Sequence, residues 1–180
     1  MGKATQDLRN EHSAILYVLK ILDKMIVSEN SDPQSLLSIY YEVVDFLKIF
    51  ADKCHHGKEE GYLFPELVRK GIPDEGGPVG VMLQEHVQGR SLISQMFTSL
   101  EQKDLNSYLH AAVLYRDLLR AHIEKENQVL FVMADRVISE AEQDVMFESF
   151  ERHEEEVIGH GVHEKLHARI DAWAKTFGVD

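Results

Sequence analysis

A single cysteine, Cys54, only four prolines and no surplus of basic residues mark what this 180-residue chain does without. One cysteine excludes an internal disulfide, and no charged stretch leads into an apolar segment at the start of the chain, so a reducing cytoplasm is the expected location. No run of about 18 uninterrupted apolar residues is present, so no bilayer span is expected. Against 19 Lys and Arg stand 31 Asp and Glu, a net charge of −12. That balance argues against non-specific binding to nucleic acid or to an anionic membrane. Scarce proline with 44% hydrophobic residues fits a compact helical protein, and a chain of this length buries roughly 70% of the surface that its unfolded form exposes. A single domain over 1–180 is expected, with a bundle core over about 5–135 and a C-terminal helical extension over about 139–177.

Apolar residues recur at helical spacing almost throughout. Leu8, His12, Ile15, Leu19, Leu22 and Ile26 alternate steps of four and three, giving one stripe with a histidine set into it. Asp32 and Pro33 form a start signal for a second helix, an N-cap followed by proline at the first helical position. Its inward stripe runs Tyr40, Val44, Leu47, Ala51 and His55, and it is expected to end or bend between Gly61 and Pro65. Gly71 to Pro78, with three glycines and two prolines, is the clearest break. Met82, His86, Gly89, Ile93, Met96 and Leu100 mark a third helix. After a polar link at Gln102 to Asp104, a fourth carries Leu105, Tyr108, Ala112, Tyr115, Leu119, His122, Glu126, Val129 and Met133 in steps of three and four. Ser139 with Glu142 reads as a capping box for a helix to about Glu156, and a last helix is expected over roughly 160–177. Short connections favour antiparallel neighbours, so the fold class is all-α: an up-down-up-down four-helix bundle with additional C-terminal helical segments packed outside.

The polar residues in these stripes form a pattern of their own. Residues 54–64 read CHHGKEEGYLF and residues 121–131 read AHIEKENQVLF, with His, Lys, Glu, Leu and Phe in the same register. Glu11-His12 precedes the first copy and Glu85-His86 the second. A lone inward histidine is more often a hydrogen-bonded core residue than a ligand; six such residues at repeated spacing reverse those odds. A buried unpaired imidazole costs about 1–3 kcal/mol and a buried unpaired carboxylate more, so four histidines and two glutamates on inward stripes need a shared partner. A divalent metal supplies it. Residues at i and i+4 lie about 40° apart around a helix, close enough for His and Glu to approach one centre. His12, His55, Glu59, His86, His122 and Glu126 can thus converge on the bundle axis, each glutamate bridging two ions and two histidines left to each.

In the first copy His55/Glu59 and His56/Glu60 both have the required spacing. Leu63-Phe64 lies eight and nine residues after His55, as Leu130-Phe131 does after His122, and His55 continues the line of Leu47 and Ala51. His55 and Glu59 are therefore preferred, with His56 and Glu60 read as an outer pair and the reverse assignment left open. Lys58 and Lys125 match across the copies and read most simply as solvated charge, the alternative being support of the ligands from behind; Cys54 reads as a small buried apolar residue rather than a redox group, and Phe64 and Phe131 as the hydrophobic wall of the site. Arg90, one turn after His86, either pairs with a glutamate near the site or reaches solvent. His160, His163 and His167 cluster near the end of the chain; His163 and His167, at i and i+4, either present an exposed histidine face or complete or orient the site.

These phrases, with MLQEHVQGR around His86, resemble the hemerythrin-like HHE cation-binding family over roughly residues 5–135. The resemblance implies a four-helix bundle holding a non-haem di-iron centre bridged by two carboxylates and an oxo or hydroxo group, with His12, His55, Glu59, His86, His122 and Glu126 as ligands. The order H-HxxxE-H-HxxxE is closer to the bacterial iron-sulfur-repair and hemerythrin-like branches than to the oxygen carriers. Those carry a further histidine four residues after the third-helix ligand, where Arg90 stands here, and an HxxxxD pair on the fourth helix. Fewer protein ligands imply more coordination positions open to oxygen, nitric oxide or peroxide. Imidazole and carboxylate ligation without thiolate suits iron, manganese or zinc; the resemblance tips the expectation to two iron ions, with manganese or zinc as substitutes. The expected function is binding, sensing or reaction of a small diatomic or peroxide ligand. The alternatives are an oxidoreductase consuming peroxide or nitric oxide, an iron donor in iron-sulfur repair, and a structural metal bundle serving as an interaction module. No output or DNA-binding element is visible, so signalling or redox work implies a protein partner, whereas neither nucleic acid nor membrane is an expected partner.

Overall fold

A computed structural model describes residues 2–28, 33–159 and 162–179, the side chains of 33–35 and 162–164 excepted. Among the described residues there are six helical rods and no strand: α1, Lys3–Val27; α2, 33–69; α3, Pro78–Glu101; α4, 105–137; α5, Glu140–Val157; and α6, Val162–Phe177. No helix is long and apolar enough to cross a membrane. Pro33 opens α2, while the cap expected at Asp32 lies outside the described residues. Pro78 stands in the first turn of α3, where its missing N–H would have had no helical partner. Asp104 caps α4 by accepting the Ser107 N–H, and Ser139 and Glu142 complete a reciprocal capping box at α5.

Of the two outcomes expected for the second helix, an end or a bend, the end does not occur. The helix does not stop between Gly61 and Pro65 but runs on to Arg69, where Gly71, at φ 92°, turns the chain away. Its path past Pro65 is possible because the segment Glu59–Leu63 is π-helical: the Phe64 N–H reaches back five residues to the Glu59 carbonyl, and α-helical pairing resumes from Phe64. The change of register releases carbonyls at the one place where proline cannot supply a donor.

Helices α1 to α4 form the bundle, with α3 along α4, α1 along α4, and α2 against α3 and α1. α5 lies outside across α1 and α2, and α6 packs on α1. α6 is fastened by Trp173, which is buried edge-on against Phe46 at 6.0 Å and donates its indole N–H to Glu42 at 2.9 Å. The bundle interior holds two apolar layers. One contains Ile15, Leu19, Ala51, Ile93, Leu119 and Ile123; the other contains Leu8, Leu63, Phe64, Met82, Leu130 and Phe131. Each leucine, isoleucine, methionine or phenylalanine among them contributes about 1.5–3 kcal/mol on burial. Between these two layers every bundle helix buries histidine or glutamate side chains, and that slab is where the site lies.

Candidate metal centre

His12, His55, His56, Glu59, His86, His122 and Glu126 fill the slab, none more than 3% exposed. Their donor atoms fall into two groups that share Glu59. His12, His55, Glu59 and Glu126 form one, and His56, Glu59, His86 and His122 the other; within each the ligand atoms lie within 4.8 Å of one another. Glu59 points one oxygen at His55 Nε2, 3.6 Å away, and the other at His86 Nε2, 3.4 Å away. Glu126 Oε2 stands 3.2 Å from both His12 Nε2 and His122 Nε2. Both carboxylates therefore sit between the two histidine sets.

His56 is the difference from the sequence expectation. Read as an outer residue, it is instead inside, its ring stacked on His86 at 3.9 Å between centroids, while Glu60 stays at the rim with its side chain 30% exposed. Residues Leu47–His56 form a π-helix, as do Glu59–Leu63 and Glu126–Leu130. The two short π turns are equivalent, each opening at a glutamate of the site, whereas the long one belongs to the first copy alone. Wider turns broaden the arc that α2 presents to the interior, so that Ala51, Cys54, His55, His56, Lys58 and Glu59 are all buried. Neighbouring residues of a straight α-helix lie about 100° apart and would not both face one axis. Here His55 turns to one group and His56 to the other, so that seven residues stand where six were expected.

Behind the donors stands a second ring of residues. His12 Nδ1 meets Asn127 Oδ1 at 2.9 Å, His55 Nδ1 meets Glu11 at 2.8 Å, His86 Nδ1 meets Glu60 at 2.7 Å and His122 Nδ1 meets Glu85 at 2.9 Å. Each of these oxygens can only accept, so each Nδ1 carries the proton and each Nε2 turns a lone pair into the slab. Three of the four acceptors are held in turn by a cation. Lys58 donates to Glu11 at 2.7 Å, Arg90 donates to Glu60 at 2.6 Å, and Lys125 donates to Glu85. Glu11, Glu85 and Asn127 were not proposed as site residues on sequence grounds, and for the two lysines support of the site was the less favoured reading. Yet Glu11 matches Glu85, Lys58 matches Lys125, and Glu60 matches Asn127 across the duplication, so the signal lay in the repeat. The reading of Lys58 as solvated charge is wrong, since it is 1% exposed; Lys125, with 42% of its side chain exposed, fits it better.

Whether cations fit is decided by atoms left without partners. His12 Nε2, His55 Nε2, both ring nitrogens of His56 and all four carboxylate oxygens of Glu59 and Glu126 are buried and make no hydrogen bond. His86 Nε2 and His122 Nε2 face each other at 3.2 Å, so with both Nδ1 atoms protonated the pair needs either a further proton or an ion between them. Each unmade bond costs about 1–3 kcal/mol, more for a charged group, and one divalent ion in each group would satisfy the set except for the second ring nitrogen of His56. On protein charges alone the slab is unevenly protonated. Burial and the charge of Glu126 push Glu59 well above the usual carboxylate range. Burial acts the same way on Glu126, but His122 and His12 outweigh it and hold that carboxyl well below the range. Burial opposes charge on His122 too, yet Glu126 and Glu85 raise its pKa to about 9, while burial takes His55 down to about 4. These protons stand where a cation would, and metal binding releases them.

A further cluster, Glu11, Cys54 and Glu154, is already spanned by the Lys58 ammonium, which lies 2.7 Å from Glu11 and 3.0 Å from Glu154. His167 is exposed on α6 and belongs to no cation-sized group among the described residues; His160 and the side chain of His163 lie outside those residues. Phe131 stacks on His12 at 5.3 Å and Phe64 on His86 at 5.6 Å, so the expected hydrophobic wall is there, again in duplicate.

Comparison with known proteins agrees with this geometry. Residues 3–134, which include all seven donors, match the hemerythrin HHE cation binding domain. The uncharacterized protein Rv1995 of Mycobacterium tuberculosis and the uncharacterized protein Mb2018 of Mycobacterium bovis are each 24% identical over 182 residues, covering 98% of this chain and 71% of the relative. No solved structure matches the chain.

Proposed function

The chain belongs to the hemerythrin HHE cation-binding family, and on that premise we propose that it holds a pair of iron ions and binds or senses a small ligand such as oxygen, nitric oxide or peroxide. The observation that carries the two-ion reading is the set of buried donor atoms without hydrogen-bond partners, turned inward by residues that fix their tautomers. His56, His86 and His122 would hold one ion and His12 and His55 the other, with Glu59 and Glu126 between them. An iron pair, when bound, supplies one-electron redox changes and coordination positions that the protein leaves open.

The chain's own residues do the rest. With two histidines rather than three, the His12 and His55 side has more room for an exogenous ligand. Phe131 lies flat on His12 and Leu8 stands one turn before it, so water approaching that side meets apolar surface. Glu11, Glu85 and Glu60 keep the imidazoles oriented through a change of charge at the centre. Seven buried donors work against release of metal, which favours reversible ligand binding over iron donation. A partner protein that passes electrons or reads the state of the site belongs to the same proposal.

The test is anaerobic purification and metal analysis, followed by absorption spectra on adding oxygen, nitric oxide and peroxide in turn. Two irons per chain and a spectral change that reverses on ligand removal are expected. Fewer than one tightly bound transition metal per chain, undiminished by His55→Ala or Glu126→Ala, overturns the two-ion reading. Sustained consumption of peroxide or nitric oxide shifts the reading to an oxidoreductase.

A further inference from the structure

The duplication breaks down in one place, and the breaks converge. On α2, Asp52, His56 and Glu60 occupy the positions that Leu119, Ile123 and Asn127 hold on α4, and Arg90 on α3 corresponds to Leu16 on α1. Leu119 and Ile123 are buried in the apolar core and Leu16 packs against it. Their four counterparts instead make a connected polar network. Arg90 donates Nε–H to Asp52 at 2.8 Å and Nη2–H to Glu60 at 2.6 Å. Glu60 accepts from His86 at 2.7 Å, and Asp52 Oδ1 lies 3.5 Å from His56 Nδ1. Both histidines belong to the same donor group, and one guanidinium stands behind both.

We propose that Arg90 is a positioning residue that makes the two halves of the metal layer unequal, by holding Glu60 on His86 and Asp52 beside His56 so that their ion is held longer than its neighbour. The inference rests on the two-ion reading above. The reason lies in charge and exposure. Asp52 and Glu60 are like charges that come to one group only because the guanidinium lies between them. Glu60, with 30% of its side chain exposed, has water to turn to once that cation is gone. A planar fork can hold two carboxylates in fixed directions, which an ammonium cannot. Without Arg90, His86 loses its fixed acceptor, and Asp52, 3.5 Å from His56 Nδ1, loses the cation that holds it there. The His12 and His55 side is oriented by Asn127 and Glu11, which make no contact with Arg90, and it is unaffected.

The experiment loads the full chain anaerobically with iron(II) and follows its removal by excess coloured bipyridyl chelator. Wild type is expected to lose two equivalents in two phases, the fast one abolished by His12→Ala and the slow one by His56→Ala. Arg90→Met should speed the slow phase about 10–100-fold, the usual consequence of losing a residue that orients a ligand, and leave the fast phase alone. Arg90→Lys should fall between, and Arg90→Met should add little to the His56→Ala protein. An unchanged slow phase in Arg90→Met, equal acceleration of both phases, or an effect confined to the phase that His12→Ala removes overturns the inference. If Arg90→Met does not fold by circular dichroism, Arg90→Lys alone decides, a slow phase at the wild-type rate overturning it. Wild type binding fewer than two irons instead overturns the two-ion reading and is seen before any variant is measured.

Discussion

Lys58 and Lys125 occupy the same position in the duplicated phrase and grip equivalent glutamates, yet burial separates them, and replacing each by methionine should separate them in stability. Lys58 is 1% exposed and its ammonium lies 2.7 Å from Glu11, 3.0 Å from Glu154 and 3.1 Å from Asp7. Methionine keeps the packing volume of the stem but leaves three carboxylates together without a cation. Breaking a buried pair in this way costs about 3–5 kcal/mol. The lower end applies here, because Asp7 and Glu154 are 25% and 30% exposed and can turn to solvent, whereas Glu11, 7% exposed, cannot. In a domain of this size each kcal/mol moves the thermal midpoint by about 2–4 °C, so Lys58→Met should lower it by about 6–12 °C. Lys125, with 42% of its side chain in solvent, should cost about 0.2–1 kcal/mol on removal. Thermal and urea unfolding of both metal-free variants, followed by circular dichroism, makes the comparison without interference from bound ions. Adding Glu11→Gln to Lys58→Met should restore part of the loss, since the stranded charge is then gone. Equal shifts for the two lysines, or a loss below about 1 kcal/mol for Lys58→Met, would refute the reasoning that burial sets the strength of this clamp.

Trp173→Ala should cost about 3–5 kcal/mol by opening a cavity against Phe46, with α6 becoming protease-sensitive before the bundle does; simultaneous cleavage throughout would contradict this. Ser139→Ala should cost about 1 kcal/mol through loss of the α5 cap, measured by urea unfolding. Glu142, bonded to Lys70 and to Ser139, has its pKa lowered from 4.5 to about 2. Its stabilising effect is thus complete above pH 4.5 and lost as pH falls toward 2, so the midpoint gap between metal-free wild type and Glu142→Gln should narrow across that window; a constant gap would count against it. Cys54 is 0% exposed, so a thiol reagent should label it only at the rate at which α2 opens; prompt stoichiometric labelling of the native protein would show the packing to be otherwise.

Much of the architecture was legible because helical periodicity is local. The stripes on α1, α3 and α4, the Asp104 link and the Ser139 capping box all follow from neighbours within a few residues. The length of α2 was not, because whether Pro65 breaks a helix depends on a π turn that the chain takes to satisfy the interior. The same property hid His56. Periodicity of 3.6 assigns one of two adjacent histidines to the inside, and only a π-helical α2 admits both.

By itself the sequence determined that six inward polar residues recur in a doubled register, because unpaired imidazoles and carboxylates are too costly to bury without a common partner. It therefore pointed to a candidate cation site within a helical bundle. Tertiary structure decided what surrounds that site. Glu11 reaches a histidine on α2, Glu85 one on α4 and Arg90 two carboxylates on α2. Such partners lie on different helices, and the distance between them in space has no counterpart in their spacing along the chain. Burial likewise made one of two matching lysines part of the core and left the other at the surface, because α5 supplies Glu154 over Lys58 whereas Lys125 keeps 42% of its side chain exposed.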